Sequence, residues 1–120
     1  MGSGMAVERH EIGPRMSKAV VHGNTFYLAG IVADSPKGKS VREQTQDILR
    51  QIDGFLAKAG TDKSKLLSAN VWITDMANFA EMNAVWDAWV APGNTPARAT
   101  VEARLAAPDY KVEIMVVAAK

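Results

Sequence analysis

The spacing of apolar residues changes along this chain, and each change marks an element. Residues 18–21 and 25–33 are rich in β-branched and aromatic side chains and flank His22-Gly23-Asn24. Gly and Asn tolerate positive φ, so this stretch predicts a β-hairpin. Beyond it the period lengthens: Val41, Ile48, Leu49, Ile52, Phe55, Leu56 and Ala59 fall on one helical face. Ser40 and Glu43 precede that face at the spacing of a capping box, and Gly60 supplies the stop. Alternation returns in "KLLSANVWIT", with Leu67, Ala69, Val71 and Ile73 on one side. A second helix carries Phe79, Met82, Val85, Trp86 and Trp89 at spacings of three and four, capped by Asp75 or Asn78 and ended by Pro92-Gly93. Two strands, 98–105 and 111–119, close the chain, and the polar residues 8–15, with Gly13-Pro14, read as an irregular lead-in.

The expected order is β-β-α-β-α-β-β, an α+β fold with both helices on one face of the sheet. The opposite face carries Trp72, Met115 and Val117, which are too apolar to leave in water, so a homo-oligomer is expected. At 120 residues there is room for one core. The leading "MGSG", residues 1–4, reads as a vector-derived scar, and residues 5–120 as the single domain.

Composition narrows the function classes. The net charge of +1 provides no electrostatic footprint for nucleic acid or an anionic membrane. There is no cysteine, which removes disulfides, thiolate metal sites and a Cys nucleophile. His10 and His22 stand too far apart in sequence to suggest a metal pair, so no metal is expected. No apolar run approaches the roughly 20 residues of a membrane span, and the N-terminus lacks a signal-peptide layout, so a cytoplasmic protein is expected.

The last two strands hold the candidate chemistry. In 111–119, Val112, Ile114, Val116 and Ala118 form the continuous apolar set, which places Lys111, Glu113, Met115 and Val117 on the far face. From Ala97 to Leu105 the same parity puts Ala97, Ala99, Val101, Ala103 and Leu105 inside. Arg98, Thr100, Glu102 and Arg104 then share the far face with Glu113. An arginine and a glutamate on a partly buried oligomer face admit two readings. One is a plain salt bridge. The other is an anion-gripping guanidinium fork beside a carboxylate that handles a proton.

Several motifs fix a resemblance: "IGP", "GNTFYLAG", "ITDMANFAEMNAVWDAW", "PARATVEARL" and "YKVEIMVVA". In this order and spacing, from about Ile12 to Ala118, the chain resembles the RidA (YjgF) family. The resemblance implies a chorismate-mutase-like trimer with ligand clefts between subunits. It also implies cofactor-free hydrolysis of reactive 2-imino and enamine acids, such as 2-aminoacrylate, to 2-oxoacids and ammonia. On the matching positions, Arg98 holds the substrate carboxylate and Glu113 positions or activates water. Ala29, Gly30 and Ile31 line the cleft through their backbone, and Asn83 and Trp86 approach it from the second helix. Met16 takes the place of the usual tyrosine after "GP", and Thr100 that of a cysteine. Ala29 and Ile31 stand where serine and glutamine are usual. The competing function is a non-catalytic trimer that senses small carboxylated metabolites through Arg98. Ribonuclease roles attached to the family find no support in the near-neutral charge.

Overall fold

The structure is a computed structural model that describes residues 6–120; the expected boundary after the leading tetrapeptide lies outside the described residues. Six strands form one sheet: β1 (Val7–Ile12), β2 (Ser17–His22), β3 (Thr25–Leu28), β4 (Leu66–Ile73), β5 (Ala97–Glu102) and β6 (Val112–Ala119). Two helices, α1 (Val41–Lys58) and α2 (Phe79–Trp89), lie on one face of it. The sheet order is β1-β2-β3-β6-β4-β5, antiparallel except for the β4–β5 pair.

The expected α+β layout is present with one strand more than the pattern predicted. Residues 8–15 do not form an irregular lead-in alone: β1 pairs along β2 from Val7↔His22 to Ile12↔Ser17. All six residues of β1 are exposed. An edge strand held by backbone hydrogen bonds, with neither face buried, leaves no hydrophobic alternation to read. The β2–β3 hairpin turns where expected, with Gly23 at φ 61°. β3 ends early, at Leu28, and Ile31 rejoins the sheet through a two-way bridge to Ile114.

The core forms between the helices and the sheet. Val112, Ile114, Val116 and Ala118 of β6 are fully buried, as the parity of that strand predicts. Ala69, Val71 and Ile73 of β4 join them, but Leu67 is half exposed and Leu66 is buried in its place. An irregularity between Leu66 and Ser68 shifts the register there, which flips the side-chain parity. Helix α1 opens on the expected capping box: Ser40 Oγ accepts from Glu43 N–H, and the Glu43 carboxylate accepts from Ser40 N–H. At its end Gly60 takes φ 80°. Asp75 caps the short turn that leads into α2, accepting from Ala77 N–H, whereas Asn78 makes no side-chain cap.

Two polar residues of α1 pin the loops that carry the site. Gln44, fully buried, was not singled out by the periodicity. Its Nε2 donates to the carbonyls of Pro36, Lys39 and Asp109, and its Oε1 accepts from Lys111 N–H. Asp47 accepts from Asp34 N–H, Gln51 Nε2 and Arg50 Nη2, and Gln51 reaches on to Val32 O. The Asp34 amide, foremost among these partners, holds the Asp47 carboxyl below its usual value. A depressed carboxyl adds stability above its unfolded pKa, near 4, and loses it as pH falls through the lower folded value. Asp47→Asn should therefore lower the melting temperature at pH 7 and lower it progressively less towards pH 3. Parallel melting curves across that range would show that the Asp47 charge plays no part.

Candidate functional site

The candidate residues separate into two groups on opposite faces of the sheet. The first lies on the helix side, at the outer edge formed by β5. In the parallel β4–β5 pair, Ala69 stands beside Arg98 and Val71 beside Thr100. Laterally paired residues project to the same face, and Ala69 and Val71 face the helices. Arg98 and Thr100 therefore face the helices too, and the expectation that Arg98 shares a face with Glu113 is overturned. Ala97, Ala99 and Val101 are exposed on the open face instead. Alternation gave two candidate faces in β5, and alanines are too small to identify the core one. The register with β4 makes that choice.

Helix α2 forms the wall of this crevice. Arg98 Cζ lies 5.1 Å from the Trp86 ring centroid, a cation–π arrangement. Trp86 is buried in the core and packs against Trp89 with ring centroids 5.4 Å apart. Trp89 Nε1 donates to Asp53 of α1, and Lys63 covers the Trp89 ring. The platform under the guanidinium is thus tied to both helices. At the other end, Met76 N–H donates to Glu102. With Met76 beside Glu102 and Trp86 beside Arg98, α2 runs antiparallel to β5. The helical rise carries Asn83, one turn before Trp86, about 4.5 Å further in the direction of Thr100.

Three polar atoms here are cut off from solvent and have no hydrogen-bond partner among the described residues: Asn83 Oδ1, Arg98 Nη1 and Thr100 Oγ1. Leaving a buried donor or acceptor unmatched costs on the order of 1–3 kcal/mol. On the facing sides of α2 and β5, these atoms present one charged donor, one acceptor and one hydroxyl able to be either. That set matches a small ligand bearing a carboxylate.

The second group lies on the open face. Glu113 stands beside Trp72, which stands beside Val101. Gly30 lies directly beneath the Glu113 side chain: a Cβ there would overlap the Glu113 carboxylate. Ala29 N–H is spent on Lys18 O and Ile31 N–H on Ile114 O, so neither is free for a ligand. Ile31 itself is buried on the helix side. Met16 is exposed in the β1–β2 turn, where its carbonyl accepts from Gly13 N–H, at the end of the sheet where Ala29 meets Lys18. Tyr27 and Val101 are about half exposed on this same face, with Trp72, Met115 and Val117 half-buried around them.

Within one chain the two groups cannot act on one ligand. Arg98 lies two strands and three residues away from Glu113, on the order of 14 Å between Cα atoms at standard strand spacings, and on the opposite face. A cavity of about 760 Å³ lined by Thr74, residues 102–108 and Tyr110 contains no candidate residue. Sequence reasoning missed the buried Gln44 and the separation of the two groups; the Trp86-x-x-Trp89 spacing was the one legible sign of the platform.

The chain folds into a small α+β domain with an arginine laid on a tryptophan at a sheet edge and an uncovered apolar face. Residues 9–120 match the family model described as Endoribonuclease L-PSP. A RutC family protein of Haemophilus ducreyi is 45% identical over 94% of this chain and 96% of its own length. A solved member of the YjgF protein family from Neisseria meningitidis is 48% identical, with a TM-score of 0.93, over 98% of this chain and 97% of that one. The more distant chloroplastic Reactive Intermediate Deaminase A of Arabidopsis thaliana is 27% identical over 89% of this chain and 59% of its own length. The chain belongs to the RutC/YjgF family. No helix among the described residues is long and apolar enough to cross a membrane.

Proposed function

We propose that this protein is a cofactor-free deaminase of 2-imino and enamine acids, working as a homotrimer whose sites lie between copies. The observation that carries this reading is the Arg98 guanidinium, laid on Trp86 with Nη1 unmatched and Thr100 and Asn83 unmatched beside it. Arg98 takes the substrate carboxylate, which fixes the adjacent imine carbon. The uncovered Tyr27, Trp72, Val101 and Met115 are covered by a second copy, which brings its Glu113 to the Arg98 crevice. Glu113 takes a proton as water bonds to the imine carbon. That proton passes to the imine nitrogen, giving a carbinolamine. The carbinolamine hydroxyl proton then reaches the same nitrogen as the C–N bond breaks and the C=O forms, and ammonia leaves a 2-oxoacid. The deaminase name of the Arabidopsis relative agrees with this chemistry.

The test generates 2-aminoacrylate in situ with a pyridoxal-phosphate dehydratase in the presence of semicarbazide. Faster release of free 2-oxoacid on adding the protein supports the enzyme. Binding of 2-oxoacids without acceleration would make the protein a carboxylate sensor instead. A monomer by sedimentation would remove the shared site.

Glu113→Gln should slow turnover by about 100-fold, the usual size of a lost acid–base group, with little change in KM. Gly30→Ala should act through Glu113. The new methyl displaces only the end of a flexible side chain, so the fold persists while kcat falls. Normal kcat in Gly30→Ala would show that the position of the Glu113 carboxylate is unimportant.

A further inference from the structure

The three unmatched atoms of the crevice do not ask for the same thing. Arg98 Nη1 is a donor, and Thr100 Oγ1 can donate; both suit a carboxylate. Asn83 Oδ1 is an acceptor, and a carboxylate gives it nothing. A ligand that satisfies all three atoms carries a carboxylate and, next to it, an N–H or O–H. The antiparallel run of α2 along β5 carries Asn83, one turn before Trp86, from Arg98 towards Thr100, which places the acceptor close to the carboxylate anchor.

We propose that Asn83 is a specificity-determining residue that accepts a hydrogen bond from the group on the carbon beside the ligand carboxylate, so that the crevice holds the nitrogen-bearing acid more tightly than its 2-oxoacid product. An imine or enamine nitrogen carries the N–H that Oδ1 lacks. Hydrolysis replaces it with a carbonyl oxygen, which has only lone pairs to set against the Asn83 oxygen. The acceptor is then buried and unmatched, and the product is released. This inference rests on Arg98 as the carboxylate anchor.

Stable acids separate the two ideas. Pyruvate, the product of 2-aminoacrylate hydrolysis, has an acceptor beside the carboxylate; lactate, similar in size, has an O–H donor there. Calorimetric titration of the intact protein should show lactate binding about fivefold more tightly than pyruvate, the effect of one additional hydrogen bond. Asn83→Ala, which introduces the best helix former, should bring the ratio to one. Thr100→Val should weaken both acids equally and preserve the ratio. Equal affinities in the parent protein, a preference for pyruvate, or a ratio that survives Asn83→Ala or vanishes in Thr100→Val would overturn the role of Asn83. Failure of the parent protein to bind either acid would overturn the Arg98 anchor itself.

Discussion

Arg98→Ala is expected to lower the acceleration of 2-aminoacrylate hydrolysis by about 100-fold, the worth of a bidentate charge-assisted contact, while the protein stays folded. Most buried arginines are costly to truncate because a partner is stranded. Here the partner is missing already, since Nη1 has none among the described residues. Truncation removes an unmatched donor and the contact with Trp86, two opposing effects of about 1 kcal/mol each. The thermal transition should therefore move by only a few degrees. Arg98→Lys should fare little better in turnover, because a point charge replaces the planar fork that fits a carboxylate. Full activity in Arg98→Ala would sink the proposed site. A large loss of stability would recast Arg98 as a structural residue.

Gln44→Ala should give the opposite profile, a large stability loss arising far from any reacting atom. The amide joins three loop carbonyls and the Lys111 amide at a fully buried position. Its removal leaves Lys111 N–H without a partner and opens a void at the start of β6. The cost should be about 3 kcal/mol, seen as a fall of roughly 10 °C in melting temperature and a matching drop in the urea midpoint. Because Lys111 directly precedes Val112 and Glu113, kcat should also fall. A change below about 0.5 kcal/mol would mean that water replaces the amide without loss.

Most elements were legible because their signals are local. The capping box of α1, the Gly23 turn, the β6 alternation and the spacing of α2 each depend on residues a few positions apart, and each lies where its pattern placed it. Strand β1 was not legible, since an exposed edge strand has no buried face to imprint on its sequence. Neither was Gln44, because a polar residue inside a helix face reads as surface until its distant partners are known. For the site, motif resemblance selected Arg98, Glu113, Asn83, Trp86 and Thr100. The crevice between α2 and β5 gathers four of these five; Glu113 lies on the other face.

Arg98 shows where the boundary falls. The sequence by itself determined that β5 alternates and that its arginine shares one side with Thr100. It determined equally that β6 has a core side, because Val112, Ile114 and Val116 are branched apolar residues at successive alternate positions and the other side carries Lys111 and Glu113. It could not say which side of β5 meets the helices. That depends on the pairing of Ala69 with Arg98, a contact between residues nearly thirty positions apart, and a one-residue change in register reverses every side chain. Only the tertiary structure decided it. The decision moved Arg98 off the face it was expected to share with Glu113 and under α2, where its guanidinium lies on Trp86 with a donor left unmatched.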